Sequence, residues 1–371
     1  LPDDWLSTKS YIWWRCEGSF HETTIYLNGQ RIGIHKQGYT SFSIRLDNIS
    51  NIKYGKDEAN VLALFVDATT GTGWWYEGGG LMRHNYIIRT NQIHFVEDSA
   101  WVYSTIPQHN SNNNNTPFML ILGNNDNNNK TTSIHIKADI YKPSSEEIII
   151  ADAISNNNNN NLNLVVSANV LDHVDNVVGK GSFKLSSRTD TISIDIPMDK
   201  PIFWSVQDPY LYTIEMKLIM NDSTLLDSIN ITHGIRSVRF SSKTGLYINN
   251  ENVKLRGFCD HSTFAAVGGA VADRINLYRV QTIRSVGGNS WRMAHNPPIP
   301  SRLDYMDALG MMAIDENRDY GGTKGQGGDT IETANDELKD MTDLIKRDRS
   351  HPSVIIWSFC NEVGCNNQSS A

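Results

Sequence analysis

Cysteine is scarce. Cys16, Cys259, Cys360 and Cys365 are the four in 371 residues, too few for a disulfide scaffold, and none stands in a zinc spacing with a partner histidine. Cys360 and Cys365 read as small packing residues rather than reactive thiols. No apolar run approaches membrane-spanning length, so no membrane partner is expected. Runs of basic residues are missing too. With 33 Lys and Arg against 41 Asp and Glu, the formal net charge is −8, which argues against a nucleic-acid partner. The chain begins with Leu1 and lacks a secretory leader, so its true N-terminus is expected to lie upstream and its compartment cannot be read from that end. Sequons at Asn48, Asn114, Asn129, Asn221, Asn230 and Asn367 lean toward a secretory or lysosomal route, diluted by the general abundance of asparagine.

What is present is first of all β pattern. Residues 19–27 alternate toward the turn Asn28-Gly29 and resume at 31–34, a hairpin signal, and 41–46 and 60–66 continue the series. In 71–81 three aromatics, Trp74, Trp75 and Tyr76, stand between glycines, a loop that either stacks on sugar faces or covers a sandwich edge. Asparagine tracts at 112–115, 124–129 and 156–161 read as disordered insertions between strands. Around them 133–141, 162–170, 191–196 and 211–219 predict an immunoglobulin-like sandwich over 131–236.

Past residue 237 the period changes. Residues 253–256 predict a strand, and 273–286 a helix stopped by Gly287-Gly288. Strand 289–293 comes next, then a short helix with Ser301 as its N-cap and Gly310 as its stop. Strand 311–314, helix 332–347 and strand 354–357 complete the series. Strand and helix alternating four times describe the first half of a (β/α)8 TIM barrel.

Each of these strands ends in polar side chains. They are Asp260-His261, then Arg292 and His295-Asn296-Pro297-Pro298, then Asp315-Glu316-Asn317-Arg318, and finally Asn361-Glu362. Parallel barrels keep their chemistry at that rim. One arginine, two histidines, an asparagine and several carboxylates suit sugar-hydroxyl recognition and acid–base work. They do not suit phosphate capture, because no glycine loop with a following lysine succeeds a strand. Zinc is disfavoured, since His261 and His295 lie on different strands and neither has an i, i+4 partner.

Three segments resemble glycoside hydrolase family 2, which includes β-galactosidases, β-glucuronidases and β-mannosidases. They are Asn289-Ser290-Trp291-Arg292-Met293-Ala294-His295-Asn296-Pro297, Asp315-Glu316-Asn317-Arg318, and the run from Arg347 through Asn361-Glu362. Upstream, Ile25-Tyr26-Leu27-Asn28-Gly29 and Gly38-Tyr39-Thr40-Ser41-Phe42 resemble the family's sugar-binding jelly roll. His233-Gly234-Ile235-Arg236 with Leu255-Arg256-Gly257 resembles its passage from sandwich to barrel. The resemblance implies three units: a jelly-roll β-sandwich over 1–115, short by a strand pair, the immunoglobulin-like β-sandwich over 131–236, and a partial barrel over 237–371.

It further implies a retaining exo-glycosidase acting on terminal β-glycosides, β-galactosides first, by double displacement. Glu362 matches the general acid/base, Asn361 the neighbour that bonds the sugar 2-hydroxyl, His261 and His295 the histidines around the sugar, and Arg292 the arginine that supports the nucleophile. The nucleophile itself, a glutamate ending strand seven, is expected beyond this chain, and the 371 residues alone are expected to be inactive. The alternatives are a β-glucuronidase or β-mannosidase of the same family, or a non-catalytic carbohydrate-binding relative. Metal-dependent members carry a histidine two places after the strand-three glutamate; Arg318 occupies that place, which argues against magnesium at Glu316, and no other cofactor is implied. The expected partner is a carbohydrate substrate. An open barrel edge is compatible with a homo-oligomer.

Overall fold

The computed structural model describes residues 1–69, 77–107, 131–143, 163–186, 190–318, 334–359 and 361. The aromatics at 74–76, the asparagine tracts, Cys360, Cys365 and Glu362 lie outside the described residues.

The first β unit opens with a short helix, Asp3–Ser7, and pairs Tyr11–Cys16 with both Phe42–Arg45 and Asn85–Thr90. A second sheet sets Glu22–Leu27 between Gln30–His35 and Leu62–Asp67. The hairpin turns where the sequence indicates, with Asn28 and Gly29 both at positive φ (49° and 84°), the conformation that a two-residue turn joining twisted strands requires. Ile12, Trp14, Ile25 and Leu27 form the core between the sheets.

The second β unit is a sandwich of two antiparallel sheets. One holds Trp101–Thr105, Ser133–Tyr141 and Thr191–Pro197, with His94–Phe95 on the far end of Ser133–Tyr141. The other runs Val177–Leu185, Leu164–Leu171, Tyr212–Met220, Thr224–His233. Strict alternation drives it: Tyr212–Met220 is buried at every second position, and Ile214, Met216 and Leu218 are fully enclosed. The strand 101–105, which falls inside the range expected for the first unit, pairs here instead. Its inward Val102 joins this core, and apolar burial decides which sheet a strand enters.

The third unit is a sheet of four parallel strands in chain order, Gly257–Asp260, Ser290–Met293, Met312–Glu316 and Val354–Ser358. Helices Asp273–Ser285, Pro300–Leu309 and Ala334–Asp348 connect them. These are barrel strands one to four, half of the eight that close a barrel. Two expectations are corrected. Strand one is Gly257–Asp260, whereas Val253 ends Glu251–Val253, a strand of a small antiparallel sheet with Gly245–Ile248 and Val238–Ser241. A Cβ on Gly257 would sit 1.8 Å from the Ser290 carbonyl oxygen, so glycine alone permits this close approach. Ser301 does not cap the second helix. Pro300 occupies its first turn, Ile299 precedes it in extended backbone, and the Ser301 hydroxyl donates instead to Asp273 Oδ1 at 2.7 Å. Gly310 does end that helix, at φ 67°, where an added Cβ would run into the Val206 carbonyl.

Sandwich and barrel are packed together. Trp204 is fully buried among Val206, Ile248, Met312 and Ile355, and its indole donates to the Asp307 carbonyl at 2.8 Å. Arg236, at the junction, donates to the carbonyls of Pro352 and Val354, the latter at 2.6 Å. Among the described residues no helix is long and apolar enough to cross a membrane.

Candidate active site

Alternation along strand two sorts its residues. Trp291 and Met293 turn toward the helices and pack with Val280, Leu303 and Met306, which leaves Arg292 on the opposite face. Strand three runs two residues further than the apolar pattern suggests, so Glu316 is its last residue rather than part of the following loop. The two strands are parallel neighbours, with Arg292 level with Ile314. Arg292 therefore reaches forward to Glu316 and grips it with both ends of its fork, Nε to Oε2 at 2.7 Å and Nη2 to Oε1 at 2.8 Å.

The Glu316 side chain is wholly buried, and its two oxygens also accept from Ser358 Oγ (2.8 Å) and from His295 Nδ1 (2.7 Å). A buried carboxylate survives only with such charge-assisted donors. Arg292 Nη2 lies 3.1 Å from the same His295 Nδ1. That nitrogen donates to the carboxylate, which can only accept. His261 donates its Nδ1–H to the Ala294 carbonyl at 3.1 Å, and its ring stands edge-to-face against His295 with centroids 5.5 Å apart.

Asn361 completes the cluster from the end of strand four. Its Oδ1 accepts from Arg292 Nη2 at 2.8 Å, which fixes the amide orientation. Its Nδ2 is buried and has no hydrogen-bond partner among the described residues. Four expected site residues, His261, Arg292, His295 and Asn361, thus come together at one rim. Glu362, next in the chain to Asn361, lies outside the described residues.

The Asp315-Glu316-Asn317-Arg318 run divides by strand alternation. Glu316 serves the rim; Asp315, fully buried on the other face, has its carboxyl pushed well above the ordinary range, first by burial and then by the nearby Asp348 charge. Arg318 is fully buried and pairs with Glu77 of the first β unit, Nη1 to Oε1 at 2.5 Å and Nη2 to Oε2 at 2.8 Å. The place of a metal-ligating histidine is therefore filled by a guanidinium with its own carboxylate. Glu316, engaged by an arginine, an imidazole N–H and a hydroxyl, offers a donor set unsuited to a dication. No group of three or more potential metal ligands is found among the described residues.

Three contributors have no clear signal in the sequence. Ser358 ends the apolar run of strand four without any distinguishing pattern. Glu77 and Arg83 sit in and just after the glycine-rich stretch whose aromatics dominate it, and Arg83 donates to the Pro297 carbonyl at 2.5 Å and the Pro298 carbonyl at 3.1 Å.

Residues 238–371 match the model described as glycosyl hydrolases family 2, TIM barrel domain, and residues 129–236 match the model for glycosyl hydrolases family 2. The chain belongs to glycoside hydrolase family 2. Among its relatives in the family, beta-galactosidase BoGH2A from Bacteroides ovatus is 28% identical over 352 residues, covering 94% of this chain and 37% of that protein. A putative beta-glucuronidase from Formosa agariphila is 29% identical, covering 96% of this chain and 30% of its own length. Among solved structures, a beta-glycosidase from Bacteroides vulgatus superposes with a TM-score of 0.81 at 25% identity, over 99% of this chain and 42% of that one. The chain spans well under half the length of the curated relatives it matches, 37% and 30% for these two. The arrangement of sandwiches followed by half a TIM barrel is the family's.

Proposed function

We propose that the protein is a retaining exo-glycosidase that releases terminal β-linked sugars, with β-galactosides as its first substrate class. The carrying observation is the Asn361 amide. Arg292 holds its oxygen, so its N–H2 is a buried donor with no partner among the described residues, at a rim that His261 and His295 also line. A fixed amide donor beside two imidazoles is suited to a pattern of sugar hydroxyls, which need donors and acceptors at set positions. The residue after it, Glu362, is the general acid/base in this reading. It protonates the departing glycosidic oxygen, then deprotonates the water that releases the sugar from the enzyme.

Attack on the anomeric carbon requires a second carboxylate about 5–5.5 Å from the first. That group is assigned to the part of the protein beyond this chain. Arg292 holds Glu316 and Asn361 through Nε and Nη2, and the framework that these two define supports the nucleophile in this reading.

The test uses the full-length protein. Glu362→Gln should lower kcat/KM by roughly 10²–10⁴-fold on glycosides with poor leaving groups and far less on activated aryl glycosides. Equal losses on both would remove Glu362 from the acid role. Relatives named beta-glucuronidase support a second reading, in which the sugar carries a carboxylate. A panel of nitrophenyl β-glycosides separates the two: turnover confined to the glucuronide would replace the galactoside assignment.

A further inference from the structure

Segment 77–83 of the first β unit touches the chain past each of the first three barrel strands, and Phe20 and Tyr39 of the same unit pack on Arg318 beside it. After strand one, the Glu77 backbone packs on the loop; a Cβ added to Gly269 would lie 2.9 Å from the Glu77 carbonyl oxygen. After strand two, Arg83 donates to the Pro297 and Pro298 carbonyls, two and three residues past His295. After strand three, Glu77 pairs with Arg318 at both oxygens and also accepts from the Tyr39 hydroxyl at 2.8 Å. Glu77 and Arg318 side chains are 3% and 0% exposed, and the guanidinium stands over the Phe20 and Tyr39 rings at 5.4 and 5.1 Å.

A buried ion pair across two folding units is a poor source of adhesion, because desolvation offsets most of its attraction and apolar surface carries no such penalty. What it supplies is a fixed relative position, because both forks must align. We propose that 77–83 is a brace for the glycosidase site and that Glu77 and Arg318 are its positioning pair. By holding the chain just past strand three, they set Glu316, two residues back, against Arg292 and His295. The first β unit thus acts on sugar recognition without touching the sugar through these residues. This rests on the glycosidase reading above.

The experiment compares the full-length protein with Glu77→Gln, Arg318→Met and the double variant, on whichever nitrophenyl glycoside the unsubstituted protein turns over. Each single change should lower kcat/KM by roughly tenfold to a hundredfold, since small misplacements of binding groups have effects of that size. The loss should fall mainly on KM, because His261, His295 and Asn361 meet the sugar in the ground state. The double variant should lose no more than the worse single one, as expected of one coupled pair. A lowered melting temperature with KM unchanged in both singles would make the pair merely structural and overturn the inference, as would losses that multiply in the double variant. If Arg318→Met does not fold, Glu77→Gln, of equal shape, decides alone: an unchanged KM overturns the brace. Absence of turnover by the unsubstituted protein on every glycoside would instead overturn the proposed function, and the inference with it.

Discussion

Ile134, Ile136 and Ala138 lie beside Ile196, Ile194 and Ile192 on the inward face of one sheet of the second sandwich, and among the described residues no charge enters that core. At the barrel rim the inward positions are Arg292, Glu316 and Arg318, each with its counter-charge. Both regions are tightly enclosed, but the first is enclosed because water is expelled from apolar surface and the second because every buried charge has found a donor or acceptor. A region of the first kind tolerates change in proportion to volume lost. The second kind fails by single atoms, since removing one partner strands the other. That contrast is what marks the rim as a place of chemistry rather than of packing.

The contrast can be broken most directly at Glu316. Glu316→Ala removes the acceptor of Arg292, His295 and Ser358 together, and should destabilise the protein by about 3–5 kcal/mol as a stranded buried charge does. Urea unfolding followed by fluorescence measures this, and kcat/KM should fall alongside. A loss below about 1 kcal/mol would place the rim with ordinary surface charge. Next in size, Ile136→Ala in the sandwich should cost about 2–5 kcal/mol by the same assay while leaving KM unchanged in the full-length protein. A changed KM would mean that the sandwich core communicates with the site.

The smallest effect is in pH, and it has opposite signs in two histidines. His351, paired with Asp307 at 2.6 Å, is raised to about 9: burial opposes its charge, but the Asp307 carboxylate and hydrogen bond outweigh it. Its contribution is whole below the unfolded value near 6.5 and is lost as pH climbs toward 9. His233, enclosed beside Ser104, is lowered to about 4 by burial. Its contribution is whole above about 6.5 and is lost as pH falls toward 4. Unfolding free energy against pH should therefore lose its alkaline slope in His351→Asn and part of its acid slope in His233→Asn. Unaltered slopes would refute the assignment.

Legibility in the sequence divides along the same line. In the sandwich, alternation in 133–141 and 191–196 is the physical cause of the fold, so reading one is reading the other. Helix ends at Gly287 and Gly310 are equally plain, because positive φ selects glycine. Strand one of the barrel lies several residues past its apolar signal, because Gly257–Asp260 is largely exposed and carries no apolar pattern; its position is dictated by contact with Ser290. At the rim the residue types can be named from their motifs, but their pairing cannot. Glu77 and Arg318 are 241 positions apart, and no periodicity connects them. Arg292 with Glu316 is closer to reach, since extending strand three by two residues brings its carboxylate into the sheet.

Arg236 has a mechanical consequence. Its guanidinium ties the last turn of the sandwich to the backbone of Pro352 and Val354, at the start of the strand that delivers Asn361. Swinging the sandwich away would break both bonds and expose the apolar cluster around Trp204 to water, so this joint is welded rather than hinged.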